Sequence, residues 1–443
     1  MINFKNQKVG ILGLGEENTA LVMFLVKQGA KVVICDQKSR EELSEYYRQV
    51  ENLPVQFRLG PHYLDALEDF KTVFRTPGLL YLEPKIQKAK ENGVEISSQT
   101  KLFFNRCGSP IIGVTGTKGK GTTATLIEEI LKESGRRSYL GGNIGNPPIK
   151  FLDKLTKDDI VVLELSSFQL QDLEKSPHIA VVLDIKVDHL DVHQSEDEYI
   201  EAKRNIVKHQ TKDDFAVINA DYLTSADFAS LSLGQTYWFS RKKSVDLGAF
   251  VSQNKIILRT ENQEEEIIDI GGIQLRGEHN LENISAAITA SYLAGADIES
   301  IKVAVRDFKG LEHRLEFVRV KDGVKFYNDS FSTTPQTTIA ALKSFDEPII
   351  LLLGGSEKNA DYQDLIKTIV QKKVKLIIPI GSTAKRIVPE IGETKSMQEA
   401  LKIAKEKASS GDIVLLSPAS ASFDAFKNYK ERGRIFKEEV LSL

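Results

Sequence analysis

The stretch Gly116-Thr117-Lys118-Gly119-Lys120-Gly121-Thr122 constrains the possible fold more than any other part of the chain. The apolar run before it, residues 111–114, predicts a buried strand, and the apolar stripe between residues 126 and 131 predicts a helix. Glycines at such a strand-to-helix turn allow backbone amides and the helix N-terminus to surround an anion. An ordinary glycine-rich turn is the alternative, but the lysine and the hydroxyls at the helix start favour a nucleotide-phosphate loop. Gly121 replaces the usual serine or threonine of this motif, so Thr122 or water is expected to supply the missing oxygen.

The size and composition of the chain limit the class of protein to which it can belong. A length of 443 residues predicts two or three domains, and the net charge of −3 disfavours broad nucleic-acid binding. No apolar run approaches the ~20 residues that cross a membrane, and the N-terminus lacks a signal-peptide pattern. Cys35 and Cys107 do not have metal-site spacing and predict buried or nearly buried thiols. We expect a cytoplasmic enzyme without nucleic-acid or membrane partners.

Residues 8–36 read as a strand, a glycine turn, a helix and a second strand that ends at Asp36. This order predicts a Rossmann-like unit in which Asp36 hydrogen-bonds a ribose or a base. Asn18 replaces the third glycine of the dinucleotide motif, and Glu16 and Glu17 repel phosphate unless they face solvent. A nucleotide sugar is therefore a better ligand than NAD, and a purely structural unit stays open.

The middle of the chain alternates apolar strands with helical segments, which predicts a mostly parallel sheet. Glu164 ends one strand, where it either binds Mg²⁺ or caps the next helix. His189 follows another strand and is either a metal ligand or structural. Lys203, on a helical stretch, reads as an ordinary solvated lysine. From Tyr237 to about residue 277 the pattern predicts an antiparallel excursion, and Asn280 is expected to cap the helix that follows.

The last part of the chain again alternates strands and helices, with polar residues gathered after the strands. The sequence thus predicts an α/β protein of three domains. They are a Rossmann-like domain at residues 1–98, a central P-loop ATPase-like domain with a mostly parallel sheet at 99–309, and a C-terminal Rossmann-like domain at 310–443.

The motif set, taken together, resembles the ATP-dependent Mur ligases, and most closely their D-glutamate-adding branch. The resemblance extends over the whole chain. It includes the phosphate loop, Gly13-Leu14-Gly15, Glu164-Leu165-Ser166-Ser167, Asp188-His189, Gly277 to Asn283, His313-Arg314, Asn328-Asp329-Ser330 and Ser417-Pro418-Ala419-Ser420-Ala421-Ser422. It implies that D-glutamate is added to UDP-N-acetylmuramoyl-L-alanine through an acyl phosphate, with ATP and two Mg²⁺ ions. We expect a monomer.

The resemblance assigns roles residue by residue. It implies that Glu164 binds one Mg²⁺ and that His189 binds a second together with Lys203, which the family carbamylates; this replaces the solvated reading of Lys203. Thr122 completes the set of metal ligands that the resemblance implies. The ATP-binding residues that it implies are Gly116, Thr117, Lys118, Gly119, Lys120, Gly121, Thr122, Asn280, Asn283, Arg314 and Asp329. The substrate-binding residues that it implies are Asp36, Thr76, Pro77, Gly78, Asn143, Ser166, Thr333, Lys358, Ser422, Phe423 and Tyr429.

Four positions depart from the pattern of this branch. Gly121 lacks a hydroxyl, Glu16 and Glu17 replace neutral residues, and Phe331 stands where a lysine is usual. The main alternatives are a sister Mur ligase or folylpolyglutamate-type ligase that adds another amino acid, and a nucleotide-binding sensor with weakened catalysis. Because Lys120, Glu164, His189 and Lys203 are all present, an active ligase is expected.

Overall fold

A computed structural model describes residues 3–186, 195–356 and 360–443 of the chain. Within these residues the strands form three sheets. The chain divides into two compact units, the first containing Met1–Asp269 and Glu282–Val305 and the second Ile270–Leu281 and Arg306–Leu443. None of the helices in the described ranges is long and apolar enough to cross a membrane.

The first sheet has five parallel strands in the order β3-β2-β1-β4-β5. The strands are β1 Lys8–Leu12, β2 Lys31–Asp36, β3 Val55–Leu59, β4 Thr72–Arg75 and β5 Glu95–Ser97. The helices are α1 Glu16–Lys27, α2 Ser44–Val50, α3 Pro84–Glu91 and α4 Gln99–Arg106. Apolar side chains pack on both faces of this sheet and bury the inner strands β1, β2 and β4, whereas β3 at the edge stays partly exposed. The strand order reverses between β1 and β4, so the loops after these two strands flank the position where such sheets bind ligands.

The central sheet has nine strands in the order β14-β13-β12-β11-β10-β9-β6-β8-β7. They are β6 Ile111–Thr115, β7 Ser138–Gly142, β8 Ile160–Glu164, β9 Ile179–Val182, β10 Phe215–Asn219, β11 Gln235–Ser240, β12 Gly248–Ser252, β13 Lys255–Arg259 and β14 Glu264–Asp269. The helices are α5 Lys120–Glu133, α6 Ser167–Leu170, α7 Glu196–Lys208, α8 Leu223–Ala226, α9 His279–Leu293 and α10 Ile298–Asp307. Strand β6 lies between β8 and β9, so the glycine loop that follows it is at a reversal of strand order.

The predicted antiparallel excursion is correct only for its later part. Strand β11 pairs in parallel with β10, and β12 pairs in parallel with β11. Only the β12–β13 and β13–β14 pairs are antiparallel, and they form a meander that extends the edge of the sheet. The sequence pattern fails here because short strands that alternate in polarity do not encode the direction in which they pair.

The second unit contains a five-stranded sheet in the order β15-β16-β19-β17-β18, in which only the β15–β16 pair is antiparallel. The strands are β15 Glu316–Lys321, β16 Val324–Asn328, β17 Ile349–Leu353, β18 Leu376–Pro379 and β19 Ile413–Leu416. The helices are α11 Pro335–Lys343, α12 Gln363–Gln371, α13 Ala384–Ile387, α14 Met397–Lys407 and α15 Tyr429–Ser442. The predicted α/β class with mostly parallel sheets is confirmed, whereas the domain limits near residues 98 and 309 stay predictions.

Candidate active site

The glycine loop connects buried strand β6 to helix α5, as predicted. Gly119 precedes the helix with a left-handed backbone (φ 86°), which a residue with a Cβ adopts only under strain. The loop is anchored at Thr117, whose N–H donates to the Asp184 carbonyl (2.8 Å) and whose Oγ1 donates to the Lys186 carbonyl (2.7 Å). Lys118 is exposed, Gly121 is buried, and Thr122 is half-buried on α5.

Two lysines converge on one carbonyl of this loop. Lys120 Nζ donates to the carbonyls of Gly116 and Thr117, both at 3.0 Å. Lys203 Nζ, from α7, donates to the same Gly116 carbonyl at 3.1 Å and to Thr115 Oγ1 at 3.4 Å. Lys203 is only 2% exposed, so the prediction from local sequence that it is a solvated lysine is wrong. Its side chain extends from α7 to the loop. The Lys120 ammonium beside the N–H groups of the loop makes this a place suited to a multiply charged anion.

Glu164 and Asn143 lie together at the carboxyl ends of neighbouring strands β8 and β7. The Glu164 side chain is buried, and Asn143 Nδ2 donates to its Oε1 at 3.2 Å. The Asn143 N–H also donates to the Glu164 carbonyl at 2.9 Å, so main chain and side chain hold the same pair. The alternative that Glu164 caps the next helix is wrong, because Ser166 is the cap of α6.

Ser166 begins a short segment that contacts the first sheet's helices. Its Oγ accepts from the Gln169 N–H (3.3 Å), and Gln169 Oε1 accepts from the Ser166 N–H (3.0 Å). Gln169 Nε2 then donates to Glu17 Oε1 at 2.7 Å. Burial raises the pKa of Glu17 to about 7, against the hydrogen bond from Gln169, and the neighbouring Glu16 carboxylate adds to the increase. Glu17 is therefore largely protonated below neutral pH, which weakens the repulsion of phosphate that its sequence position implies.

The predicted nucleotide-sugar residues lie at the end of β2 and directly after β4 of the first sheet. Asp36 is 7% exposed, and its carboxylate accepts from the main-chain N–H groups of Leu14 (2.7 Å) and Lys38 (2.9 Å). It thereby fixes the Gly13-Leu14-Gly15 turn. The Thr76 N–H donates to the Leu12 carbonyl at 3.0 Å, which starts the Thr76-Pro77-Gly78 loop beside that turn.

Helix α9 carries both asparagines of the predicted ATP site. The helix begins at His279, so Asn280 lies within its first turn, and the prediction that Asn280 is the cap is wrong. Asn280 Nδ2 instead donates back to the Arg276 carbonyl at 2.6 Å. Asn283 faces the phosphate loop, because a Cβ placed on Gly119 would lie 2.1 Å from Asn283 Oδ1.

In the second unit, Asp329 follows β16 and is surrounded by donors. Its Oδ2 accepts from Ser417 Oγ at 2.7 Å and also from Ser332 Oγ, and its Oδ1 accepts from the Leu315 N–H at 3.1 Å. Burial raises the pKa of Asp329 to about 6, although these hydrogen bonds lower it. Ser417 follows β19, the parallel neighbour of β16, which is why the two side chains meet at one sheet edge.

Arg314 is presented on a strained turn. Its neighbours His313 (φ 66°) and Leu315 (φ 45°) are non-glycine residues with left-handed backbones, a conformation that concentrates at functional sites. The Arg314 guanidinium lies 3.7 Å from the ring centre of Phe331. Phe331 also meets Tyr429 edge-on, with ring centres 5.0 Å apart. The aromatic face of Phe331 therefore packs against the Arg314 guanidinium.

The remaining predicted substrate residues of this unit lie on its loops. The Thr333 N–H donates to the Phe331 carbonyl at 2.8 Å, and Thr333 is half-buried. Ser422 is buried, whereas Phe423 is 71% exposed, with its N–H donating to Ser356 Oγ at 3.2 Å. His189 and Lys358, both predicted as ligand-binding residues, lie outside the described residues.

The oxygen donors beside the loop suit a hard divalent cation such as Mg²⁺. Glu164 is a buried carboxylate, and Thr122 supplies a hydroxyl on the first turn of α5. Asp184 Oδ1 is buried and has no hydrogen-bond partner within the described part of the chain. A buried carboxylate oxygen that lacks a donor next to the phosphate loop is consistent with a cation at this place. We did not expect Asp184 from the sequence.

Two buried arginines were also missed. Arg432, on α15, donates to the Ser330 carbonyl (2.8 Å) and the Ser420 carbonyl (3.2 Å), so it joins the loops after β16 and β19. Burial lowers the pKa of Arg432 to about 10. Arg75, at the end of β4, is 1% exposed. The only sequence signal for either residue was its position beside a recognised motif.

Family models match the chain in three consecutive parts. They are described as the Mur ligase MurD-like N-terminal domain (residues 7–98), the Mur ligase middle domain (114–291) and the Mur ligase glutamate ligase domain (313–420). The chain is 43% identical to a UDP-N-acetylmuramoylalanine–D-glutamate ligase of Symbiobacterium thermophilum, over 99% of this chain and 98% of the relative. It is 42% identical to the enzyme of that name from Acetivibrio thermocellus, over 99% and 97% of the two chains.

Solved structures share the fold at low sequence identity. A UDP-N-acetylmuramate–alanine ligase from Thermotoga maritima matches with a TM-score of 0.57 and 18% identity, over 99% of this chain and all of that one. A UDP-N-acetylmuramoylalanyl-D-glutamyl-2,6-diaminopimelate–D-alanyl-D-alanyl ligase from Acinetobacter baumannii matches with a TM-score of 0.60 and 15% identity, over 98% and 93% of the two chains. With relatives above 40% identity along nearly its full length, the chain belongs to the Mur ligase family.

Proposed function

We propose that this protein joins D-glutamate to UDP-N-acetylmuramoyl-L-alanine at the expense of ATP, in the synthesis of peptidoglycan precursors. The observation that carries the proposal is the convergence of Lys120 and Lys203 on the Gly116 carbonyl, beside the buried Glu164 strand. The names of the full-length relatives supply the amino acid and the acceptor.

The reaction has two steps. An oxygen of the L-alanyl carboxylate attacks the γ-phosphorus of ATP, so the bond to ADP breaks and an acyl phosphate forms. The amine of D-glutamate then attacks the acyl carbon, phosphate leaves, and the amide forms with loss of a proton. No protein nucleophile is needed, and catalysis comes from positioning and from stabilising charge on the phosphoryl group.

The phosphate loop supplies most of that stabilisation. The N–H groups of Gly116 to Thr122 and the start of α5 bind the β and γ phosphates. Lys120 Nζ donates to two loop carbonyls, both at 3.0 Å. Its charge is carried on a flexible side chain, which moves from these carbonyls to a phosphate oxygen when ATP binds. Asn280, Asn283, Arg314 and Asp329 hold the rest of the nucleotide.

Two Mg²⁺ ions, when bound, neutralise charge on the phosphates. Glu164 and Thr122 hold one ion, and His189 with Lys203 holds the second. Carbamylation of Lys203 supports this role, because it converts a cation into an anionic ligand. The burial of Lys203 favours the modified form, since desolvation disfavours an ammonium group.

The two organic substrates are assigned to opposite ends of the chain. Asp36 and the Thr76-Pro77-Gly78 loop hold the uridine nucleotide, and Asn143 and Ser166 hold the muramoyl peptide. Thr333, Lys358, Ser422, Phe423 and Tyr429 receive D-glutamate, whose side-chain carboxylate pairs with Lys358. This gives a UDP-sugar domain at 1–98, an ATP domain at 99–309 and an amino-acid domain at 310–443, working as a cytoplasmic monomer.

The test is phosphate release from ATP with UDP-N-acetylmuramoyl-L-alanine and a panel of amino acids. We expect release with D-glutamate and none with L-glutamate, L-lysine or glycine. Release only with another amino acid would indicate a sister ligase, and binding of both nucleotides without turnover would indicate a sensor. Lys120→Ala should abolish release, and full activity in that variant would contradict the role of the loop.

A further inference from the structure

Arg75 is a buried arginine that contacts two parts of the first unit at once. It is the last residue of β4, and its side chain is 1% exposed. Its Nη1 donates to the Leu79 carbonyl at 2.7 Å and lies 3.3 Å from the Thr76 carbonyl. Its Nη2 donates to the Phe168 carbonyl at 3.2 Å. One guanidinium therefore holds the main chain of residues 76–79 against the main chain of residues 166–172, the segment that follows β8.

The ionic partner of Arg75 does not explain why an arginine is present. Asp172, which is 4% exposed, lies 3.7 Å from Nη2, too far for a good hydrogen bond. Within the described residues, Arg75 Nε and both Asp172 carboxylate oxygens lack hydrogen-bond partners. A buried ion pair with such incomplete bonding is a poor source of stability, and an apolar pair of similar volume is often at least as stable. The feature that only the guanidinium provides is the set of planar donors that reach carbonyls of both segments.

The two segments that Arg75 joins serve the two ends of one substrate under the proposed function. Residues 76–78 flank the nucleotide sugar, and Ser166 faces the muramoyl peptide two residues after Glu164. A second contact supports the same junction, since Gln169 Nε2 donates to Glu17 Oε1 at 2.7 Å. We propose that Arg75 is a positioning residue that fixes the spacing between the nucleotide-sugar loop 76–79 and the segment 166–172. This proposal rests on the proposed function for its substrate, but the junction itself does not.

The kinetic test compares Arg75→Met with Arg58→Met as a matched control. Arg58 also donates to a main-chain carbonyl of the first sheet's domain, that of Ala66 at 3.3 Å, but within that domain alone. Arg75→Met should raise the KM for UDP-N-acetylmuramoyl-L-alanine about tenfold, the effect of ~1.4 kcal/mol. The KM for ATP should change less than about twofold, and Arg58→Met should leave both constants near the wild-type values. An unchanged acceptor KM in Arg75→Met would overturn the proposal.

A double variant separates positioning from stability. Arg75→Met combined with Asp172→Leu removes both buried charges and should restore the Tm that Arg75→Met lowers. If Arg75 positions the two segments, the acceptor KM stays raised in the double variant. If the KM returns to wild type together with the Tm, the role of Arg75 is structural and the proposal is wrong.

Hydrogen exchange of the free full-length chain tests the junction without any turnover. Arg75→Met should speed amide exchange in residues 76–82 and in residues 166–172 together, whereas Arg58→Met should speed it in neither. Faster exchange confined to 76–82 would overturn the proposal even if the wild-type enzyme proved inactive. Coupled exchange in a chain that releases no phosphate would instead contradict only the proposed function.

Discussion

Gly119→Ala should damage nucleotide binding far more than it damages the fold. Gly119 has φ 86°, and an added Cβ would lie 2.1 Å from Asn283 Oδ1 and 2.9 Å from its Cγ. The backbone strain of a left-handed residue with a Cβ costs about 1–2 kcal/mol. The clash itself is relieved when the Asn283 side chain rotates, so it adds little to the loss of stability but moves a proposed ATP-binding group.

Gly135→Ala is the matched control for this substitution. Gly135 follows α5 at its other end with φ 72°, and its added Cβ would meet no atom within 4 Å. Both variants therefore carry the same kind of backbone strain and should lower the Tm by a similar few degrees, at ~2–4 °C per kcal/mol for a large domain.

The two variants should differ in their kinetics. Hydrogen bonds to a charged group contribute about 1.5–3 kcal/mol, so loss of one bond to the nucleotide raises the KM for ATP by roughly 10- to 100-fold. We expect this increase in Gly119→Ala and a KM within about twofold of wild type in Gly135→Ala. Initial rates at varied ATP, together with melting curves, measure both effects. Equal KM values for the two variants would refute the packing of Asn283 against the loop.

Three further perturbations test other parts of the site. Lys203→Ala should be inactive and should regain part of its phosphate release when acetate is added, because this small carboxylate replaces the proposed carbamate. An absence of rescue over a wide range of acetate concentrations would count against carbamylation. Binding of the nucleotide sugar should weaken as pH rises through about 7, because Glu17 then loses its proton and becomes an anion. Calorimetry should show that the affinity of Glu17→Gln depends less on pH than that of the wild type. The same pH dependence in both proteins would contradict this cause. Phe331→Leu removes the ring beneath Arg314, whose cation–π interaction contributes about 0.5–1 kcal/mol. The KM for ATP should therefore rise roughly two- to fivefold in Phe331→Leu and return to the wild-type value in Phe331→Tyr. Equal KM values in the two variants would exclude the ring as the support of Arg314.

The strand, loop and helix around residues 111–133 were predictable because their signals are local. Apolar periodicity defines β6 and α5, and the glycines between them have few other uses. The alternation of strands and helices along the chain predicted the parallel sheets. It did not predict the direction of β11, because pairing direction depends on the path of the chain between strands rather than on the strand itself.

The environment of single charged residues was not predictable from local sequence. Lys203 lies on the same helical stripe as Tyr199, Ile206 and Val207, so periodicity places it on the buried face of α7, but nothing in the local sequence shows that it contacts the loop after β6. Only the resemblance to Mur ligases corrected that reading. Arg75 and Asp172 are 97 positions apart, and their pairing across two sheets has no counterpart in periodicity or spacing. The predicted cap at Asn280 lies two positions after the residue that precedes the helix, because helix ends depend on tertiary contacts as well as on capping residues.

A crystal structure with ADP and Mg²⁺ shows whether the glycine loop binds the phosphates of the nucleotide. We expect the phosphates to lie against the N–H groups of Gly116 to Thr122, Lys120 Nζ to leave the Gly116 and Thr117 carbonyls for a phosphate oxygen, and Mg²⁺ to lie beside Glu164. A nucleotide bound elsewhere, with Lys120 still donating to the two loop carbonyls, would contradict the assignment of this loop.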